Sequence, residues 1–299
     1  MKRVLVALAL GFLCVSCEQT FRLGGSGARK TTRELQRING PVRSVSVATA
    51  VPIEKDGTWE PGEQKPASTD AYDKSGNRTE HVVYTSEGTV GGKIVFTYDT
   101  QGNETEVNVY NANGASESHN VSTYGAQGHK TETRSYAADG TLTRRTVFTY
   151  DARGNETAAH SSTPEGAPEG STLSAYDDRG NLEETTWYYA DGVPGGQVVY
   201  KRDAKGTLLS SIAFDYAPDG TLQSRTDAIY DARGNPTEVI WYSDNSQFKK
   251  RETSTYRYDI FGNWIQRTTT KWVSKGSTSS FEPPVVTYRT IIYYGKGTE

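Results

Sequence analysis

The sequence predicts an all-β fold, an antiparallel meander of about 17 strands that forms a coiled or partly closed single sheet. One observation is a six-residue word, Tyr-Asp-x-x-Gly-Asn, that returns every 26 to 28 residues. The other is that segments of strand length, rich in Thr, Val, Tyr and Phe, separate the copies. The word begins at Tyr72, Tyr98, Tyr150, Tyr176, Tyr230 and Tyr258, with degenerate copies at Tyr124 and Arg202.

This word, called the YD word below, has the chemistry of a hairpin turn. Asp at the start of a type I turn bonds forward to the backbone, and Gly supplies the positive φ that closes a hairpin with a bulge. A second word, Tyr136-Ala-Ala-Asp-Gly140 in one copy, lies halfway between YD words and is called the half-word. Each repeat therefore carries two turns and two strands. The predicted YD turn residues are Asp73, Gly76, Asp99, Gly102, Asp151, Gly154, Asp177, Gly180, Asp231, Gly234, Asp259 and Gly262.

The YD words resemble the signature of the RHS/YD-repeat family of bacterial envelope and toxin proteins. The resemblance covers roughly residues 69–294 and implies a β-strand array, while saying little about activity. In large members the repeats form a hollow shell around a toxin domain. We do not expect toxin packaging here, because no further domain follows Glu299 and no self-cleavage segment rich in Pro and Asp is found.

The N-terminal residues 1–17 are predicted to be a lipoprotein signal peptide. Lys2 and Arg3 precede an apolar run over 4–15 that is too short to span a membrane. Residues 14–17 resemble a bacterial lipobox, which makes Cys17 the lipidated first mature residue; an ordinary signal peptide is the alternative. Glu18 after that Cys implies the outer membrane in the usual enterobacterial-type sorting pattern. The membrane is thus a predicted partner, through the anchor.

Residues 18–40 are predicted to be a flexible tether, with one or two helical turns over 32–38, and residues 41–299 to be the repeat domain. Residues 42–51 alternate like a first strand, whereas 56–68 are rich in Gly and Pro and are predicted to be a loop. Residues 158–170 contain two prolines in place of a turn word and are the weakest predicted repeat. A longer hairpin, 264–273 with 285–294, closes the chain around a loop that includes Phe281. The YD tyrosines are expected on the concave, inward face.

No catalytic, metal or cofactor site is predicted. The four His lie in different strands or turns, and Asp residues of neighbouring YD turns are about 9.5 Å apart, too far to share one ion. Neither a nucleophile elbow nor a distinctive carboxylate pair is present. A net charge of −3, without a basic stripe among aromatics, argues against nucleic acid. We therefore expect a protein that is not an enzyme.

Four tryptophans are the candidate ligand-binding residues: Trp187, Trp241, Trp264 and Trp272. Trp187 and Trp241 occupy the same place two repeats apart, about 19 Å along the sheet. Both are expected on the outward face, where they could stack on sugar rings or on a partner protein. Ordinary packing at the closing end of the array is the alternative.

The function expected from these observations is that of a bacterial envelope lipoprotein whose repeat sheet presents a surface for a glycan or an envelope protein. Two other functions remain open. The half-words at 136–142 and 216–222 resemble short repeats of some antitoxin-like proteins, which would indicate an immunity-type inhibitor of a toxin. A glycan-active enzyme is the other.

Overall fold

The computed structural model describes residues 31–244, 246–275 and 278–295, so Cys17 and the predicted signal peptide lie outside the described residues. The described chain contains one short helix, α1 (Thr32–Leu35), and 18 strands. The strands are β1 (Val42–Lys55), β2 (Thr58–Tyr72), β3 (Arg78–Tyr84), β4 (Val90–Tyr98), β5 (Glu104–Asn111), β6 (Ser116–Tyr124), β7 (Lys130–Ala137), β8 (Leu142–Tyr150), β9 (Glu156–Ser162), β10 (Pro168–Tyr176), β11 (Leu182–Tyr189), β12 (Pro194–Arg202), β13 (Leu208–Tyr216), β14 (Leu222–Tyr230), β15 (Pro236–Ser243), β16 (Phe248–Tyr258), β17 (Trp264–Lys275) and β18 (Thr278–Tyr293).

The sheet closes into an antiparallel barrel. Each strand pairs with the next one in sequence, and β1 also pairs with β18 over eight positions, from Val42↔Tyr293 to Ala50↔Val286. The predicted coiled or partly closed sheet is therefore wrong, although its all-β antiparallel character is confirmed. Closure is favoured because it pairs the two edges that a coiled sheet would leave exposed.

Several predicted boundaries also change. Residues 58–68 belong to β2, because β1 continues to Lys55 and pairs with them as a long hairpin. Phe281 lies in β18, which begins at Thr278 and not after the prolines. The predicted weak repeat is a regular hairpin of β9 and β10, closed by the same backbone bonds as the other turns, Thr163 N to Ala167 O and Gly166 N to Thr163 O.

The two faces of the sheet differ in exposure. Along β16 the exposure alternates strictly, with Lys249, Arg251 and Arg257 exposed and Tyr256 and Tyr258 partly buried. Side chains on the concave side of a closed sheet converge and cover one another, so the face that carries Tyr256 and Tyr258 lines the lumen. A barrel of 18 strands is roughly 35 Å across between backbones, too wide for side chains to fill.

Turns alternate between the two ends of the barrel. YD turns form one end, here called the YD rim, and half-word turns together with the long hairpins β1–β2 and β17–β18 form the other, the half-word rim. The six predicted YD glycines have positive φ, between 77° and 92°, as the turn chemistry predicts. Residues 31–40, from the predicted tether, lie against the YD rim: Arg33 N bonds Gly76 O, and Asn39 N bonds Asn263 Oδ1. Ile38 packs there with Val42, Val45 and Tyr72 in a small core.

Candidate functional site

The four predicted tryptophans do not converge on one site. Trp187 pairs with Thr172 and Gly196, and Trp241 pairs with Thr226 and Lys250, which places both on the lumenal face. The expectation that they face outward is wrong. That expectation placed the half-word tyrosines on the same face of the sheet as the YD tyrosines. A bulge beside each turn changes which face the following residues occupy.

The indole of Trp187 lies directly on the neighbouring strand. A Cβ on Gly196 would be 1.9 Å from Trp187 Cζ2, and one on Gly195 would be 3.0 Å from Cδ1. Only glycine leaves room for the ring at position 196, and a Cβ at position 195 would press against it. Trp187 is thus in close contact with the backbone of β12, the packing alternative that the sequence left open.

Cations cover two of the other rings. Lys250 Nζ lies 3.8 Å from the centroid of Trp241. Arg289 Cζ lies 3.6 Å from the ring of Trp264, near the YD rim. Cation–π contacts at these distances hold the charged groups in place, so neither ring is an open stacking platform.

Trp272 has a different setting, on the outer face of β17. It pairs with Arg251 of β16 on one side and with Phe281 of β18 on the other. The Trp272 and Phe281 rings meet edge to face at 4.2 Å, and Phe281 is 67% exposed. An apolar ring this open is available to a ligand.

These residues line a cleft of about 420 Å³, here called the outer aromatic cleft, which is formed by Phe248, Arg251, Thr253, Thr270, Trp272 and Phe281. Its aromatic side chains supply flat apolar surfaces, and its two threonines and Arg251 supply hydrogen-bonding groups. Arg251 Nε is held 2.5 Å from Glu238 Oε1, which orients the guanidinium along the sheet. A few polar groups placed among aromatic rings are the usual composition of a small-ligand site.

Sequence reasoning found only Trp272 of this cleft. Phe281 was placed in a loop, and Phe248 and Arg251 belong to β16, whose register against β17 is not visible in the sequence. The length of the closing hairpin is the sequence feature from which the position of Phe281 could have been predicted. Once 278–293 is taken as one strand, Phe281 falls opposite Trp272.

The turn aspartates act within their own turns. Asp99 Oδ1 accepts the backbone N–H groups of Gln101 and Asn103, and Oδ2 accepts the Asn103 amide. In the equivalent turn, hydrogen bonds from Asn181 lower the pKa of Asp177. Over the described ranges, no group of three or more His, Cys, Asp or Glu is arranged to hold a metal ion. Within the same ranges, no helix is long and apolar enough to cross a membrane.

No family model matches this chain, and no curated protein matches it. Among solved structures, a porin-like protein from Bacteroides uniformis ATCC 8492 is similar at 13% identity and a TM-score of 0.49, over 85% of this chain and 98% of that one. A porin-like protein from Bacteroides vulgatus ATCC 8482 is similar at 12% identity and a TM-score of 0.37, with the same coverage. A DUF1329 family protein from Desulfovibrio piger ATCC 29098 follows at 11% identity and 0.26, over 83% and 84% of the two chains.

Proposed function

We propose that this protein is a non-enzymatic glycan-binding lipoprotein of the bacterial envelope, and that its ligand binds in the outer aromatic cleft. The observation that carries the proposal is the pairing of Trp272 with the exposed Phe281 on the outer face. Sugar rings have apolar faces that stack on aromatic side chains and hydroxyls that bond to polar groups beside them. The same cleft is lined by Thr253, Thr270 and Arg251, which supply such polar groups.

The charged outer face of β16 supports contact with the membrane through a lipid on Cys17 and not through the strands. Lys249, Arg251 and Arg257 are exposed along the whole outer side of β16. A face in contact with lipid needs an apolar band about 25 Å tall, and a Lys or Arg at its centre costs about 2–4 kcal/mol. The barrel is therefore proposed to lie beside the membrane, as a periplasmic or surface-exposed domain.

Substitution of Trp272 tests the binding site. The purified mature chain is screened against polysaccharides extracted from a bacterial envelope, and Trp272→Ala is expected to weaken binding at least tenfold. Trp59→Ala is the matched control, because Trp59 is 48% exposed on the other long hairpin of the half-word rim. Binding that survives Trp272→Ala would contradict the proposed site. Cleavage of the bound glycan would contradict the non-enzymatic role.

The anchor is tested separately. Cys17→Ser removes the sulfur that would carry the lipid, so the protein is expected to move from the membrane fraction to the soluble fraction after cell lysis. A Cys14→Ser variant controls for changes in the signal peptide that leave the proposed modification site intact. Retention of Cys17→Ser in the membrane fraction would contradict the lipid anchor.

A further inference from the structure

A pair of arginines lies on the lumenal face near the YD rim, apart from the outer aromatic cleft. Arg267 of β17 pairs with Thr287 of β18, and Arg289 follows two residues later on the same face. The two guanidinium groups share Trp264: Arg289 Cζ is 3.6 Å and Arg267 Cζ is 5.8 Å from its ring centroid. Two positive charges are thus held around one indole.

In the part of the chain that the structure describes, no carboxylate forms an ion pair with Arg267 or Arg289, and the Nε atom of each is buried without a hydrogen-bond acceptor. The nearby carboxylate is that of Asp70, and its Oδ1 is already occupied by Arg78 at 3.2 Å and His81 at 2.8 Å. A buried donor without an acceptor is costly, and two like charges at close range add to that cost.

The surroundings keep this charge in a restricted space. Tyr256 meets Trp264 edge to face at 6.1 Å, and Tyr72 lies close enough to Arg289 to interact with its charge. Burial lowers the pKa of Arg289 to about 10; Tyr72 opposes this shift and the charge of Arg267 adds to it. Arg289 thus has a second cation, Arg267, beside it, and no carboxylate of the described chain is ion-paired with it.

We propose that Arg267 and Arg289 form a lumenal binding site for an oxyanion, that is, a sulfate, a phosphate or a carboxylate. The planar guanidinium presents N–H donors at a spacing that matches two oxygens on such a group. One oxyanion bound between the two guanidinium groups would accept hydrogen bonds from them and would cancel the repulsion between the charges. Trp264 fixes Arg289 in position for this contact.

The test uses the purified mature chain in chloride buffer at constant ionic strength. Sodium sulfate, sodium phosphate and sodium glucuronate are titrated separately, with calorimetry and the melting temperature as readouts. Saturable binding of at least one of them, with a raised melting temperature, is expected for the wild type. Arg289→Gln and Arg267→Gln are each expected to weaken it at least tenfold. Arg144→Gln, which removes an arginine paired with Glu169 at 2.8 Å, is expected to leave it unchanged.

The stability of the variants without ligand separates this site from a structural role. Without an oxyanion the two charges repel one another, so Arg267→Gln is expected to melt in chloride buffer at or above the temperature of the wild type. A lower melting temperature would indicate a structural role for Arg267. Tighter binding of glucuronate than of the inorganic ions would identify an acidic sugar as the source, and the reverse order would identify a free inorganic anion. No difference between chloride and all three oxyanions in the wild type, or unchanged affinity in both glutamine variants, would overturn the proposal.

Discussion

The two rims of the barrel use one backbone turn with different side-chain support. In the YD turn at 151–155, Asp151 N bonds Asn155 O and Gly154 N bonds Asp151 O. In the half-word turn at 137–141 the same two bonds run from Ala137 N to Thr141 O and from Gly140 N to Ala137 O. The glycines have φ of +82° and +84°. The backbone alone does not distinguish the rims.

Side chains do distinguish them. On the YD rim, Arg153 donates to the carbonyl of Asp178 in the next turn, and Tyr176 donates to the carbonyl of Glu156. On the half-word rim, a Cβ added to Gly140 would meet nothing within 4 Å. The YD turn at 151–155 is therefore cross-linked to its neighbour, whereas the half-word turn at 137–141 has open space beside its glycine. Elsewhere on the half-word rim, the Tyr189 hydroxyl donates to the carbonyl of Tyr216 at 2.8 Å. The turn aspartate and glycine therefore specify the hairpin, while contacts with neighbouring turns determine how much each rim adds to stability.

The largest expected difference between the rims comes from valine at the turn glycines. Valine at positive φ costs about 1–3 kcal/mol at either Gly154 or Gly140. At Gly154 the new Cβ would also lie 2.8 Å from His129 Cε1, whose ring stacks on Tyr150 at 4.7 Å. Displacing that ring costs about 1 kcal/mol more. Urea unfolding followed by circular dichroism should show Gly154→Val to be the less stable variant.

Equal losses for the two variants would mean that the rims do not differ at this position. Unchanged stability in both would show that neither glycine needs its left-handed conformation. The glycines at 114, 166 and 220 offer further controls on the half-word rim, because a Cβ at each would also meet nothing within 4 Å.

A smaller difference is expected from the residue that ends each turn. Asn155 is 1% exposed, and its side-chain amide donates to Asp151 Oδ2 at 2.8 Å. Asn155→Ala removes this bond to a charged acceptor and is expected to cost about 1–3 kcal/mol. Thr141 in the half-word turn is exposed, so Thr141→Ala is expected to stay within about 0.5 kcal/mol of the wild type. The urea midpoints of the two variants measure this; a Thr141→Ala loss as large as that of Asn155→Ala would contradict the contrast.

The sequence predicts the turns well because their chemistry is local. Asp, Gly and Asn within five residues determine each hairpin, and a hairpin repeated every 26 to 28 residues determines an antiparallel meander. Closure depends instead on the pairing of β1 with β18, whose partners are 236 residues (Ala50 and Val286) to 251 residues (Val42 and Tyr293) apart, and the repeat pattern carries no information about that pairing. The faces of Trp187 and Trp241 were missed for a related reason, since one bulged residue at a turn reverses the alternation. The outer aromatic cleft could not be predicted from the sequence, because it depends on the register of β16, β17 and β18.

The smallest expected effect concerns the YD tyrosines. The Tyr176 hydroxyl donates to Glu156 O at 2.8 Å, so Tyr176→Phe is expected to cost about 1 kcal/mol at pH 8. Tyr216 belongs to a half-word, and its hydroxyl donates to no carbonyl of the described chain, so Tyr216→Phe is expected to have little effect. The urea midpoint at pH 8 gives both values. A loss for Tyr216→Phe as large as that for Tyr176→Phe would contradict the difference between the rims.

The effect of Tyr176 should also depend on pH. Burial raises the pKa of Tyr176 to about 12, and the charge of Glu156 adds to the shift. The unfolded chain releases this proton at about pH 10, before the folded protein does. The stabilisation from Tyr176 is therefore complete below about pH 10 and is lost as the pH rises through about 12. Between those values the urea midpoint of the wild type should fall more steeply than that of Tyr176→Phe, and identical slopes would show that the hydroxyl is not held in its neutral form by the YD rim.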